Sequence, residues 1–147
     1  MAKSIKDMIL DESPKSVKKI EKSLNSKNIS PITVANFEAM KSELATGSSK
    51  DYPKLKVLIT DSFVLRYETS FGFAFEIVPL KDVQNAYRSN IVNGEFEYDN
   101  FHLAIETAEK TYYFAQMLKN KKTYTAYEEI IADIKKKAGS WNRGEAL

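Results

Sequence analysis

The hydrophobic period of this chain changes twice, and those two changes constrain the fold more than any single motif. Up to about residue 50 the apolar residues recur at helical spacing. From there to about residue 115 they alternate with a period of two, and after that the helical period returns. A chain patterned in this way reads as helices, then short strands, then one closing helix, which is an α+β class.

In the first part, Ile5, Met8 and Ile9 fall on one face of a short helix. Ser13-Pro14 is a start signal: a capping hydroxyl, then a proline in the first turn, where its missing N–H costs nothing. Val17, Ile20 and Leu24 form a narrow stripe among Lys15, Lys18, Lys19 and Lys22. Ser30-Pro31 repeats the signal, and Phe37, Met40 and Leu44 form the next stripe until Gly47. Residues 1–47 are therefore expected to be a helical extension of two or three helices, and 48–54 a linker by composition. A fragment starting near Asp51 is expected to fold without them.

The middle part reads as strands. Lys56–Thr60 is followed by a tight turn at Asp61-Ser62. Phe63, Leu65 and Tyr67 alternate with Val64, Arg66 and Glu68, and Phe71, Phe73, Phe75 and Ile77 alternate with smaller or polar residues. Val83–Ser89 reads as a further strand, and Asn93-Gly94 as a hairpin turn. Phe101, Leu103 and Ile105 alternate with His102, Ala104 and Glu106. Ala108-Glu109-Lys110 turns the chain, and Tyr112 and Phe114 resume the alternation. The connections are too short for parallel βαβ units, so an antiparallel sheet is expected. Tyr127, Ile130, Ile131 and Ile134 then make a helical stripe. Thr125 with Glu128 reads as a capping box, Lys135–Lys137 sit in the last turn, and Gly139 follows. Residues 139–147 read as a flexible tail.

Residues 55–137 resemble bacterial PH-like (pleckstrin-homology-like) domains. Val57-Leu58-Ile59-Thr60-Asp61-Ser62-Phe63-Val64-Leu65 is similar to their opening hairpin. Phe75-Glu76-Ile77-Val78-Pro79-Leu80-Lys81-Asp82-Val83 is similar to their strand followed by a Pro-Leu-x-Asp stretch. Phe101–Thr107 with Lys110–Phe114 is similar to their later hairpin. The resemblance implies a PH-like curled antiparallel sheet, barrel-like and capped by a C-terminal helix, over residues 55–138. Six strands are legible, and a seventh is expected in 95–99 or 80–92. The first 50 residues lie outside the resemblance. In phosphoinositide-binding PH domains the first hairpin carries a basic motif ending in Lys/Arg-x-Arg. Here Val64 stands two before Arg66, so the resemblance does not extend to lipid headgroup binding, Lys54 and Lys56 notwithstanding.

Composition narrows the chemistry. With no cysteine and one histidine, thiolate metal sites, disulfides, cysteine nucleophiles and paired-histidine metal sites are excluded. His102, with Phe101 and Leu103 pointing the other way, reads as a surface or rim residue. No phosphate-cradling glycine motif is present, and no cofactor is expected. No apolar run reaches the roughly 20 residues of a membrane span, and a cytoplasmic protein is expected. The net charge of +2 divides into +3 for residues 1–50, −4 for 51–117 and +3 for 118–147. These blocks are weak beside the basic patches of nucleic-acid binders, so nucleic acid is not an expected partner.

A non-enzymatic module for protein–protein interaction or self-association is the leading expectation. It would work by strand pairing at a sheet edge or through a groove between sheet and helix. Tyr112, Tyr113, Tyr124 and Tyr127 are its candidate surface or groove aromatics, and Lys119, Lys121 and Lys122 a candidate basic loop cluster. The alternative is membrane-surface binding through the basic N-terminal helices. A third reading, a hydrolase or metal-binding protein, rests on Glu95, Glu97 and Asp99 sharing one face of an extended segment.

Overall fold

The computed structural model describes residues 4–27, 29–68, 74–92, 94–96, 100–118 and 121–138. Helices α1 (Ile5–Leu10), α2 (Pro14–Leu24) and α3 (Pro31–Thr46) come first. The serines before them act as their N-caps. Ser4 accepts from the Asp7 N–H at 3.1 Å, Ser13 from Ser16 at 3.4 Å and Ser30 from Thr33 at 3.2 Å, contacts worth about 1 kcal/mol each. Pro14 and Pro31 open their helices. Gly47 ends α3, but not through a left-handed turn, since its φ is −108°. A Cβ there would lie 3.0 Å from the Glu43 carbonyl oxygen and 3.0 Å from Asp61 Oδ2, so crowding against the backbone of the last helical turn favours glycine.

Strands β1 (Ser49–Tyr52), β2 (Val57–Thr60), β3 (Phe63–Glu68) and β4 (Ala74–Pro79) form a four-stranded antiparallel sheet in chain order. A single 3₁₀ turn, Leu80–Asp82, leads to β5 (Val83–Ser89). The short hairpin of β6 (Ile91–Val92) and β7 (Glu95–Phe96) follows, with Gly94 at φ 85° in its turn. Strands β8 (Asn100–Thr107) and β9 (Thr111–Leu118) complete a three-stranded antiparallel sheet in the order β5-β8-β9, and α4 (Lys121–Lys137) closes the fold. The protein is thus α+β, with two antiparallel sheets and a C-terminal helix. Among the described residues no strand pairing joins the two sheets, so the barrel is not closed.

Several expectations are corrected here. The segment expected to be a linker contains β1, paired with β2 from Ser49↔Thr60 to Tyr52↔Val57. Its polar composition hides a strand of which only Tyr52 is buried. Lys56 belongs to the β1–β2 turn at φ 56° rather than to β2. Helix α4 begins at Lys121, so Thr125 lies inside it and does not cap it. A further strand expected in 95–99 or 80–92 is found in both places, as the short strands β7 and β6. Phe71, Phe73, Glu97, Asp99, Lys119 and the expected tail lie outside the described residues.

Two hydrophobic clusters hold the fold, one on each face of the four-stranded sheet. Val57, Ile59, Val64 and Val78 point inward, toward Leu103, Ile105 and Phe114 of the second sheet and Tyr127, Ile130 and Ile134 of α4. Leu58, Phe63, Leu65, Tyr67, Phe75 and Ile77 point outward, against Ile5, Ile9, Ile20, Phe37, Met40 and Leu44 of the three helices. Alternation in β3 therefore separates two cores at Val64, while Arg66 and Glu68 farther along the same face reach solvent. Helix α3 also protects the sheet's edge: the buried Thr33 Oγ1 accepts from the Ile77 N–H of β4 at 3.0 Å, and Pro79 has no N–H to offer.

Glu43, on α3, ties the helices to the sheet. Its Oε1 accepts from the Ser62 N–H at 2.5 Å. Burial works against its charge, but hydrogen bonds from Thr60 and Ser62 and the nearby Lys137 ammonium outweigh that and hold its pKa below the usual carboxylate range. Its stabilising contribution is therefore complete above the unfolded-state pKa and lost as pH falls through the lower folded-state value. Glu43→Gln is expected to lower the urea-unfolding free energy by about 1 kcal/mol at neutral pH. The difference from wild type should vanish in acid, below both pKa values.

Candidate functional site

A groove of about 410 Å³ opens where the two sheets part. The end of β4 (Val78, Pro79), the 3₁₀ turn (Lys81, Asp82), the β8–β9 turn (Ala108, Glu109) and Tyr112 of β9 line it, and Ile32 of α3 forms a side wall. The β5–β8 register explains the meeting of the two turns. Val83 pairs with Thr107, which sets Asp82 beside Ala108 and Glu109.

Tyr112 is only 3% exposed. Its ring packs edge-on to Phe114 at 6.1 Å, and the Lys110 ammonium lies 4.4 Å from its centroid. Its hydroxyl makes no hydrogen bond among the described residues. Burial pushes the Tyr112 hydroxyl up from its ordinary pKa, and the carboxylates of Glu76, Glu109 and Asp82 push it further.

Strand β9 meets this groove at Tyr112, and among the described residues it pairs only with β8, so its other edge carries no strand there. The hairpin closes with the Thr107 N–H donating to the Lys110 carbonyl at 2.9 Å. From that pair, the antiparallel alternation turns the backbone groups of Thr111 and Tyr113 away from β8. The outer edge of β4 is blunted by Thr33 and Pro79, and among the described residues β1, β5 and β9 are the other outer strands of the two sheets.

The sequence-named residues divide. Tyr112 and Tyr127 are not surface aromatics: both are core residues, and the Tyr127 hydroxyl donates to the Phe101 carbonyl at 2.9 Å. Tyr112 still serves the site, through its hydroxyl end. Tyr113 is partly exposed on the opposite face of β9, as alternation requires. Tyr124 is partly exposed and lies 5.3 Å from Phe101. The Arg88 guanidinium lies over Tyr124 at 4.6 Å and reaches Glu128 at 3.4 Å. Lys121 and Lys122 belong to the first turn of α4 rather than to a loop. His102 is not on the rim: it is 8% exposed, with the Tyr113 ring edge-on at 6.3 Å. Glu95 is exposed on β7, and no group of three metal-ligating side chains occurs among the described residues. No helix among them is long and apolar enough to cross a membrane.

Ile32, Asp82 and Glu109 were not legible as site residues. The Pro-Leu-Lys-Asp stretch and the Ala-Glu-Lys turn were both visible in the sequence, but their meeting depends on the β5–β8 register. Comparison with known proteins identifies no relative: no family model, no curated protein and no solved structure matches the chain.

Proposed function

We propose that this chain is a non-enzymatic PH-like binding module that takes an extended segment of a protein partner as an added strand on β9. The observation that carries the reading is the outer edge of β9, unpaired among the described residues, which meets at Tyr112 a groove that Ile32 of α3 also lines. Main-chain hydrogen bonds along such an edge supply affinity, and a pocket beside it reads alternate side chains. The PH-like resemblance draws support from the two antiparallel sheets and the closing helix, although β1 of the four-stranded sheet lies before the residues that carry it. The membrane-surface alternative draws less support. Of the apolar residues of α2, Ile20 is buried and Leu24 packs against the outer cluster, which leaves mainly a lysine face for a membrane.

Thr111 is the first residue of β9, and its N–H points away from β8, so proline is tolerable there. Peptides selected from a random library on the full chain are expected to lose roughly tenfold or more in affinity against Thr111→Pro, consistent with the loss of one main-chain hydrogen bond and a blocked edge. Thermal unfolding should stay close to wild type. Selected peptides that bind the variant equally well would place the binding surface elsewhere.

A further inference from the structure

The groove beside β9 has a chemical preference, and the inference below rests on the binding reading just given. Its polar end gathers Asp82 and Glu109, both exposed at the mouth, with Glu76 within electrostatic reach of the same hydroxyl. Tyr112 adds an acceptor that is nine-tenths buried as a side chain and without a hydrogen bond among the described residues. Of the nearby cations, Lys110 covers the ring face and Arg66 pairs with Glu76 at 3.8 Å. Lys81 lines the groove as well as the neighbouring cleft by Ser62 and Lys137, so the two carboxylates outnumber the one ammonium along its wall.

We infer that the groove selects a lysine or arginine side chain on the docked strand, with its head group between Asp82, Glu109 and the Tyr112 hydroxyl and its methylene stem against Pro79 and Ile32. The stem and head of such a residue suit a site that is apolar along one wall and acidic at its end. The whole chain carries a net charge of +2 and repels a cationic peptide at long range. Selection for a basic segment therefore has to come from the site.

The test uses three labelled peptides matched to the eight residues of β9, alternating valine with lysine, glutamine or glutamate. Each is titrated by fluorescence anisotropy against the full chain, Thr111→Pro and the double variant Asp82→Asn/Glu109→Gln. Both carboxylates are exposed, so the double variant should fold. The lysine peptide is expected to bind about tenfold more tightly than the glutamine peptide, and the glutamate peptide more weakly than both. The double variant should bring the lysine peptide to the level of the glutamine peptide. If all three bind alike, and all lose affinity in Thr111→Pro, the edge reading stands and charge selection is overturned. If the lysine preference survives the double variant, the preference belongs to another surface and the inference falls. If no peptide binds, the edge reading falls and takes the inference with it.

Discussion

A fragment lacking residues 1–47 is expected to retain strand signal in far-ultraviolet circular dichroism but to lose its cooperative unfolding transition. The reason is the outward face of the four-stranded sheet. In the full chain Leu58, Phe63, Leu65, Tyr67, Phe75 and Ile77 are covered by the three helices. Burial of a large apolar side chain contributes about 1.5–3 kcal/mol. Uncovering six of them removes roughly 9–18 kcal/mol, an upper estimate because unfolded chains already bury some of this area. Domains have only about 5–15 kcal/mol in total. The deletion also removes Thr33 from the Ile77 N–H and Glu43 from the Ser62 N–H, leaving the β4 edge and the β2–β3 turn without those partners. Near-ultraviolet dichroism, dye binding to exposed apolar surface and size-exclusion chromatography check the outcome. A monomeric fragment with a sharp transition near the wild-type midpoint would show that the helices are an accessory.

That expectation reverses the one drawn from sequence, and the reversal shows where sequence reasoning ran out. The helix starts were legible because a cap is local: Ser13-Pro14 and Ser30-Pro31 act on their own first turns. The strands from Phe63 to Phe114 were legible because alternation is local as well. What alternation does not encode is the number of layers. Phe63, Leu65 and Tyr67 face the helices while Val64 faces the inner core, and only Arg66 and Glu68 gave the run its half-exposed appearance. Likewise β1 was missed because Ser49, Lys50 and Asp51 owe their strand conformation to pairing with β2 rather than to propensity. The groove was hidden for the same reason, since Asp82 and Glu109 meet only through the β5–β8 register. His102 and Tyr127 were misplaced because single-element periodicity says which way a side chain points, not what arrives to cover it.

Tyr127 separates packing from polarity within the inner core. It is fully buried at the start of the stripe, continued by Ile130 and Ile134, with which α4 joins the inner core. Its hydroxyl donates to the Phe101 carbonyl at 2.9 Å, beside the irregularity between Phe101 and Leu103 where the β8–β9 ladder shifts register. The helix thus supplies a donor at a point where the strand pairing is interrupted. Tyr127→Ala removes the ring and leaves a cavity, and the expected loss is about 3–5 kcal/mol, a large share of the total stability. Tyr127→Phe keeps the ring and removes only the donor, at an expected loss of about 1 kcal/mol. Chemical denaturation of both variants measures the two steps. Since the ring belongs to the inner cluster and Phe37 and Phe75 to the outer one, the Phe variant should leave the tilted Phe37–Phe75 contact at 5.8 Å undisturbed. Nuclear Overhauser contacts between those rings give a readout of that separation. If Tyr127→Phe costs as much as Tyr127→Ala, the hydroxyl and not the ring is what seats α4, and the helix is held chiefly by its bond to the bulge.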